Sequence, residues 1–515
     1  VNIEAGTDPA ERASTVGART PLLTEQVLAQ VQPFLLGAAG EPPNFARDIE
    51  PWFGGEIAIA VVPGGAGTEQ VQMLEVADAK GARDYESSIG AGAPEPDEYQ
   101  GTEIREDQRG LATAIVDDFL VIGSADGVRS VADVAAGADA AEPLSEEPTV
   151  EQAIDELPAD SFAQGYLSTE GIDSFLALSR GALAPFEPFV DSGASQGAAF
   201  SLGADEEGYL MAIRSVLDPG RSEDAGGFFA AFAPFEPMLP AEIAPDTLAY
   251  LGFGDADETV DALLAQATIR APGIAKEVTD LADRLRKEAG VDLTEELLPA
   301  LDGEGAVAVT PRPQPSAAGA SDPSGEELPG ELGAQESPER VQPGQTETPY
   351  LQFVAGGVDE EEAAEALARL QKEFAQSVDP NIANPVFREQ AFGDVTAQVL
   401  RRSPASVLAY AIADEKLVLA DDTAPIERLD GDPDSGLAGA EGYEAATDGL
   451  AEDPSLIAYL DLSGLVAAAE RLGAGAESPF TTFAEDLRRL QTFALTVGTE
   501  DDVLASDARL RIAAP

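Results

Sequence analysis

Short apolar runs separated by turn residues dominate this chain, and they predict many strands joined by single helices. Residues 56–62 are predicted to form an apolar strand, and residues 111–122 two strands around an Asp-Asp turn. Helical spacing of apolar positions occurs between such runs, for example over residues 125–136. Strands interrupted by single helices are typical of an α+β fold with a largely antiparallel sheet.

The same pattern occurs twice along the chain, in the same order. Three segments of the first half recur in outline in the second half: residues 52–63 at 301–311, residues 115–122 at 412–419, and residues 165–167 at 458–460. A repeat in fixed order indicates that one structural unit was copied. We therefore predict a tandem duplication of an α+β unit, in which a mixed, largely antiparallel sheet carries helices and the copies are pseudo-twofold related.

The repeat also predicts the domain organisation. The first unit is expected over residues 1–218, a connecting segment over 219–242 and the second unit over 243–515. Residues 1–3 fall where residues 251–253 fall in the second copy. We therefore expect that the N-terminal strand of the first unit is truncated and that a longer precursor exists.

One long segment differs in composition from the rest. Residues 311–349 are rich in Pro, Gly, Ser, Glu and Gln and contain almost no large apolar side chain. Such a segment cannot bury enough apolar surface to offset the entropy of ordering it, so it is predicted to be disordered or loosely packed. Because the first unit joins the same two strands by a short loop, the segment is interpreted as an insertion in a strand connection.

The charge balance is strongly acidic. The chain has 95 Asp and Glu against 30 Lys and Arg, which gives a formal net charge of −65. This field repels phosphates, so nucleic acid is not expected as a partner, and neither is a bare anionic membrane surface. Two explanations stay open: adaptation to high salt, or the ordinary acidic surface of a protein from a high-GC bacterium.

Missing residue types limit the chemistry further. The chain contains neither cysteine nor histidine, which removes thiol nucleophiles, disulfides and the usual general base at neutral pH. No apolar stretch approaches the ~18 residues needed to span a bilayer. Contact with a membrane is therefore expected only through an anchor that is missing from this chain.

One acidic segment matches the spacing of a calcium-binding loop. Four carboxylates occupy positions one, three, five and twelve of that pattern: Asp430, Asp432, Asp434 and Glu441. The pattern requires glycine where Ser435 stands, and Pro433 constrains the segment. We keep two interpretations, a calcium site and an acidic surface loop.

Two other motifs have structural explanations. Residues 193–197 match the Gly-x-Ser-x-Gly nucleophile motif, but that motif needs a histidine, so a turn before a strand is predicted instead. The pentapeptide Ala-Pro-Phe-Glu-Pro occurs at residues 184–188 and again at 233–237. Each copy is interpreted as a helix end that docks on the sheet. The alternative is that the phenylalanines of the two copies are exposed and bind a protein partner.

Several of these motifs together resemble a known family. They are Trp-x-Gly-x-Glu before an apolar strand at residues 52–62, a strand ending near Asp78, the strand entry at residues 99–101, the strand at 116–121, and Leu-Pro-Ala-Asp at 157–160 before a Tyr-Leu strand. In this order they resemble the bacterial family called domain of unknown function 3352. The resemblance implies an N-terminal transmembrane anchor followed by a large extracytoplasmic region, and it supplies no catalytic residues.

The expected function is that of a non-enzymatic structural or interaction protein of the cell envelope or extracellular space. A protein partner or self-assembly is expected, and no cofactor other than calcium. Two alternatives are kept. The chain could be a glycosidase-like enzyme that uses carboxylates on surface polysaccharide, although no catalytic pair can be chosen among so many acids. It could also be a calcium-dependent adhesin or assembly subunit.

Overall fold

The fold is known from a computed structural model of the chain. It describes residues 2–4, 8–26, 45–64, 67–89, 95–138, 143–171, 195–218, 233–259, 298–301, 303–312, 348–377, 387–403, 406–429, 435–451, 453–473, 478–500 and 502–514.

Ten described strands belong to the first half of the chain and ten to the second. The first ten are β1 (Asn2–Glu4), β2 (Phe53–Gly64), β3 (Gly67–Val76), β4 (Asp97–Tyr99), β5 (Thr102–Glu106), β6 (Leu111–Val116), β7 (Phe119–Ser124), β8 (Ala163–Ser168), β9 (Ser195–Ala204) and β10 (Gly208–Leu217). The others are β11 (Ala249–Phe253), β12 (Gly305–Thr310), β13 (Tyr350–Gly356), β14 (Arg388–Phe392), β15 (Val395–Ser403), β16 (Ser406–Ala413), β17 (Lys416–Ala420), β18 (Leu456–Asp461), β19 (Leu490–Glu500) and β20 (Val503–Ile512).

Helices connect and cover these strands. They are α1 (Asp8–Gly17), α2 (Ala79–Ile89), α3 (Ala125–Ala135), α4 (Pro148–Asp155), α5 (Glu360–Ser377), α6 (Ala424–Arg428), α7 (Glu441–Thr447), α8 (Leu462–Arg471) and α9 (Ser478–Leu487). Short 3₁₀ turns include Leu144–Glu146, Leu239–Ala241 and Leu437–Gly439. Side-chain caps fix two helix starts: Ser124 accepts the N–H of Gly127 before α3, and Asp461 accepts that of Gly464 before α8.

The strands form one twenty-stranded sheet in which every described pairing is antiparallel. From one edge to the centre the order is β4-β5-β6-β7-β3-β2-β1-β8-β9-β10. From the centre to the other edge it is β20-β19-β18-β11-β12-β13-β17-β16-β15-β14. Each strand of the first ten has a counterpart ten numbers later, so the predicted duplication of an α+β unit is confirmed.

The two units meet strand to strand in the β10–β20 ladder. Nine residue pairs form it, from Gly208 with Arg511 to Val216 with Val503. Strands β8, β9 and β10 pair in the same register as strands β18, β19 and β20, and this shared register makes Ala212 equivalent to Asp507. These two residues also pair directly with each other across the β10–β20 ladder. The pseudo-twofold axis therefore passes through this pair.

Two equivalent arginines support the central ladder. The guanidinium of Arg214 lies 3.0 Å from the carboxylate of Asp507, and its Nε also donates to the carbonyl of Glu156 at 3.2 Å. Its counterpart Arg509 pairs with Asp205 at 3.3 Å. These guanidinium groups neutralise acids at the point where the two units join.

Apolar side chains fill both faces of the second unit. On one face the turn Leu239–Ala241 and the helices α6 and α7 cover a core that includes Tyr250, Val354, Val418 and Ile457. On the other face α5 covers a core that includes Phe253 and Val358. Smaller clusters occupy the first unit around Val121 and Val128 and around Trp52.

The predicted domain boundaries stay predictions. Most of the predicted insertion at residues 311–349 lies outside the described residues, and so does most of the connecting segment 219–242. The two described flanks of the insertion come together, because the Nε of Arg312 donates to the carbonyl of Thr348 at 3.0 Å. Among the helices that the structure describes, none has the length and apolar character to cross a membrane.

Candidate functional site

Three tyrosine rings form a buried cluster on one face of the second unit. Tyr250 on β11 and Tyr459 on β18 are direct neighbours across the ladder between these strands. Tyr443 on α7 meets both rings edge to face, at centroid distances of 6.2 Å from Tyr250 and 5.3 Å from Tyr459. The cluster forms one wall beside Glu304, the residue that precedes β12.

The carboxyl group of Glu304 holds a passing segment of backbone. Its Oε2 accepts the N–H groups of Met238 at 2.8 Å and Leu239 at 2.9 Å. Its Oε1 lies 3.5 Å from the hydroxyl of Tyr250, which donates to it. Glu304 therefore caps the 3₁₀ turn Leu239–Ala241 from the side of the sheet.

Burial dominates the electrostatics of this cluster. It raises the pKa of Glu304 from 4.5 to about 7, although the bonds from Leu239, Met238 and Tyr250 favour the charged form. Burial also raises the pKa of Tyr459 to about 12 and that of Tyr250 well above 10.0. Glu304 thus changes charge near neutral pH, while the tyrosines remain neutral. No second carboxylate is among the groups that shift its pKa.

Residues 233–248, here called the strap, cover the cluster. The N–H of Phe235 donates to the carbonyl of Pro454 at 3.0 Å, and the N–H of Leu437 donates to the carbonyl of Ile243 at 2.8 Å. Leu239 and Ile243 of the strap are buried in the core that contains the tyrosine cluster. Glu242 forms an ion pair with Lys416 at 2.5 Å. The strap then leads directly into β11.

The first unit carries a counterpart of this site. Strand register and the matching 3₁₀ turns pair Glu304 with Glu56, Tyr459 with Tyr166, Tyr443 with Val150, and Leu437 with Leu144. The burial of the two leucines differs sharply: Leu437 is 0% exposed and Leu144 is 61% exposed. In the part of the chain that the structure describes, nothing covers Leu144 as the strap covers Leu437.

An open groove lies at this position of the first unit. Its volume is about 420 Å³, and it is lined by Pro143, Leu144, Glu146, Glu147, Thr149, Tyr166, Ser168, Thr169, Glu170 and Gln196. The hydroxyl of Tyr166 lies 3.0 Å from the Oγ1 of Thr149 at the groove wall. The lining thus combines apolar surface, hydroxyl groups and carboxylates.

The neighbouring strand shows the same difference between the units. Ala306 and Ala308 on β12 are fully buried, whereas their counterparts Ala58 and Ala60 on β2 are only half-buried. Val61, which follows on β2, is 63% exposed. The less covered surface of the first unit therefore extends from the groove onto β2.

Most of the predicted calcium ligands lie outside the described residues. This applies to Asp430, Asp432 and Asp434, so the calcium site stays a prediction. Glu441 is the exposed first residue of α7. The described ranges contain no group of three or more acidic side chains placed to hold a metal ion.

A second depression is acidic throughout its polar lining. It is bounded by Val358, Asp359, Glu360, Asp414 and Glu415. The carboxylate of Glu360 accepts the N–H of Glu415 at 2.9 Å, which ties α5 to the β16–β17 turn. The acidic side chains of this depression therefore have a structural role, at the start of α5 and in the β16–β17 turn.

Ser195, the central residue of the Gly-x-Ser-x-Gly motif, is not a nucleophile in this fold. It is buried at the first position of β9, and its hydroxyl lies 2.8 Å from that of Ser215. The motif is followed by a strand, whereas a nucleophile elbow needs a helix there. The first Ala-Pro-Phe-Glu-Pro copy, residues 184–188, lies outside the described residues, and the second is the start of the strap.

Comparison with known proteins identifies the family. A family model described as a protein of unknown function (DUF3352) matches residues 15–325, more than half of the chain. The chain therefore belongs to this family, as its motifs predicted. No curated protein matched the chain.

Solved structures show only a distant similarity. Crystal form I of TP0453 is 12% identical, with a TM-score of 0.22, over 42% of this chain and 81% of that chain. Crystal form IV is 12% identical, with a TM-score of 0.22, over 37% of this chain and 73% of that chain. Similarity at this level supports no inference about function.

Proposed function

We propose that the protein is a non-enzymatic structural or interaction protein of the cell envelope or extracellular space. The observation that carries the proposal is the use of Glu304. This carboxyl group, whose pKa is raised by burial to about 7, accepts hydrogen bonds from the backbone N–H groups of Met238 and Leu239 in the strap. It holds the strap in place within the fold.

The sheet suits such a role. Twenty antiparallel strands form a continuous surface, and an ion-paired ladder joins its two halves. A large sheet with a groove on its first unit presents surface to a partner. Envelope location is proposed from family membership, because members resemble one another in having an anchor followed by an extracytoplasmic region.

The location is tested on whole cells. The tagged protein is expressed from its complete gene in the source bacterium, and intact cells are treated with an external protease. The proposal expects loss of the full-length band while a cytoplasmic marker protein survives. Protection of the band until the cells are lysed would contradict the proposed location.

A glycosidase-like activity is the second candidate, because a carboxyl group that titrates near pH 7 is suited to general acid catalysis. The purified chain and its Glu304→Gln variant are incubated with bacterial surface polysaccharides and aryl glycosides. The non-enzymatic proposal expects no release of reducing sugar by either protein. Release that the variant loses would overturn that proposal.

The calcium-dependent alternative is tested separately by thermal melting. A site that binds calcium in the folded state raises the melting temperature in millimolar calcium, and magnesium serves as the control ion. An increase that disappears in the Asp432→Asn variant would favour calcium-dependent assembly. Equal melting temperatures with both ions would remove this alternative.

A further inference from the structure

The strap is held differently in its two parts. In the second part Leu239 is 2% exposed and Ile243 is fully buried in the core. The first part, residues 233–238, is here called the latch. It contains no fully buried residue, and its last residue, Met238, is 66% exposed. The latch can therefore leave the surface at a smaller loss of apolar burial than the rest of the strap.

Backbone hydrogen bonds hold the latch near its two ends. The N–H of Phe235 donates to the carbonyl of Pro454 at 3.0 Å, and the side chain of Phe235 packs partly buried against the core. The N–H of Met238 donates to Oε2 of Glu304 at 2.8 Å, and Leu239 donates to the same oxygen at 2.9 Å. One carboxyl group thus holds the end of the latch that continues into the buried part.

The latch also lies against the backbone at Gly254, the residue that follows β11. A Cβ atom at Gly254 would lie 2.5 Å from the carbonyl oxygen of Ala233 and 3.2 Å from the side chain of Phe235. These contacts leave no room for a side chain at Gly254. The closed position of the latch is therefore defined by contacts at both of its ends.

We propose that the latch is a pH-dependent closure, which lies on the second unit while Glu304 carries a proton and leaves the surface more often when Glu304 is ionised. Opening brings water to Oε2 of Glu304 and uncovers the surface beneath Phe235. This conformational change goes beyond the proposed function and does not depend on it.

The direction follows from the environment of Glu304. Burial raises its pKa from 4.5 to about 7, and the N–H groups of Met238 and Leu239 reduce this shift without cancelling it. The closed state therefore binds the proton more tightly than a state in which water reaches the carboxyl group. A rise in pH from about 4.5 to about 7 thus favours opening, and a further rise adds little.

Neutral groups face Glu304 from the elements packed against it. Tyr250 on β11 donates to its Oε1, Tyr443 on α7 lies near it, and burial raises the pKa of both tyrosines above 10.0. On β13 the contact is made by backbone, since the N–H of Gly356 donates to the carbonyl of Glu304 at 2.8 Å. None of these groups changes charge between pH 4.5 and pH 8.

The charged residues of the strap do not replace Glu304 as the titrating group. Glu242 forms an ion pair with Lys416, and Glu236 is exposed. Among the described residues, no charged side chain contributes to the pKa shift of Glu304. Ionisation of Glu304 itself is therefore the event that opens the latch.

Hydrogen exchange of the complete 515-residue chain measures this opening. Exchange of the N–H groups of Phe235, Met238 and Leu239 is followed by mass spectrometry and corrected for the exchange rate of an unprotected amide at each pH. We expect opening to become at least about ten-fold more frequent between about pH 5 and pH 7 and to level off above that. A full return of Glu304 to its ordinary pKa would give at most about 300-fold. The N–H groups of β11 and β12 should stay at least about a hundred-fold better protected throughout, because the sheet remains folded.

Two variants shift the latch in opposite directions. Glu304→Gln keeps a neutral acceptor for the two N–H groups, and opening should change by less than about three-fold over the same pH range. Gly254→Ala should raise opening at about pH 5 to at least the level of the parent at pH 8, because its Cβ atom displaces Ala233 and Phe235. Glu56→Gln, at the equivalent position of the first unit, should keep the profile of the parent. Thermal melting checks that each variant is folded.

Three results would overturn the proposal. The first is a corrected exchange rate of the latch in the parent that does not change with pH, a result that needs no variant. The second is the same pH dependence in folded Glu304→Gln, which would assign the opening to another group. The third is equal protection of the latch and β12, which would mean that the latch opens only when the whole unit unfolds.

Discussion

Ala212 and Asp507 are equivalent residues of the two units, and they face each other in the strand pair that joins those units. Because the pseudo-twofold axis passes through this pair, a residue on one side of it has its counterpart on the other. The pair is not chemically symmetric, since only one member is charged. Asp507 accepts the guanidinium of Arg214, whereas Arg509 reaches Asp205 at the hairpin turn.

Loss of the pair between Arg214 and Asp507 should weaken the junction. Both side chains are largely buried, 13% and 22% exposed, so removing one leaves the other without its partner. We expect Arg214→Ala to lower the free energy of unfolding by about 1–3 kcal/mol, measured by urea denaturation. Arg129→Ala breaks an exposed pair with Asp126 and should change it by less than about 0.5 kcal/mol. Similar losses in the two variants would contradict the structural role of the junction.

The two equivalent leucines should respond differently to truncation. Leu437→Ala leaves a cavity in a core that includes Leu239 and Ile243, and we expect a loss of about 2–4 kcal/mol in the free energy of unfolding. Leu144→Ala should cost less than about 0.5 kcal/mol, because that side chain is mostly exposed. Urea denaturation of both variants checks the difference. A comparable loss for Leu144→Ala would show that the groove is covered in solution.

The architecture was largely predictable from the sequence, because most strands are short apolar runs bounded by turn residues. The Asp-Asp turn at residues 117–118 and its counterpart at 414–415 both form hairpin turns, with Asp117, Asp414 and Glu415 at positive φ. Such turns fix the register of the strands beside them. Repetition of these signals in one order was therefore sufficient to predict a duplicated antiparallel sheet.

The candidate site was not predictable, because its chemistry depends on burial. Glu56 and Glu304 occupy the same motif, and sequence alone does not separate them from the other 93 acidic residues. Glu304 differs because the fold buries it, and this burial raises its pKa although the strap's N–H groups favour the charged form. One signal was available: the pentapeptide at residues 233–237, where the strap begins, repeats residues 184–188.

The strap should also depend on the absence of a side chain at Gly436. An alanine Cβ there would lie 2.0 Å from the carbonyl oxygen of Ala241, which is backbone and cannot move aside without lifting the strap. We expect Gly436→Ala to lower the free energy of unfolding by about 2–4 kcal/mol. Gly498→Ala is the control, because a Cβ there meets its nearest atoms at 3.8 Å or more. Equal melting temperatures for the two variants would mean that the strap does not pack as described.

Titration of Glu304 should make the stability of the second unit depend on pH. Burial raises its pKa to about 7 in the folded state, against an ordinary value of 4.5, so the folded state binds the proton more tightly than the unfolded state. The stabilisation is complete below pH 4.5 and is lost as the pH rises to about 7 and above. Glu304→Gln keeps a neutral acceptor for the N–H groups of Met238 and Leu239. Its stability relative to the parent should therefore rise by roughly 1–3 kcal/mol between pH 4.5 and pH 8, measured by urea denaturation.

Glu56→Gln is the matched control and should change stability at pH 7 by less than about 0.5 kcal/mol. If the free energies of unfolding of Glu304→Gln and the parent changed with pH in the same way, the carboxyl group of Glu304 would already be charged in the folded protein, and the prediction would be wrong.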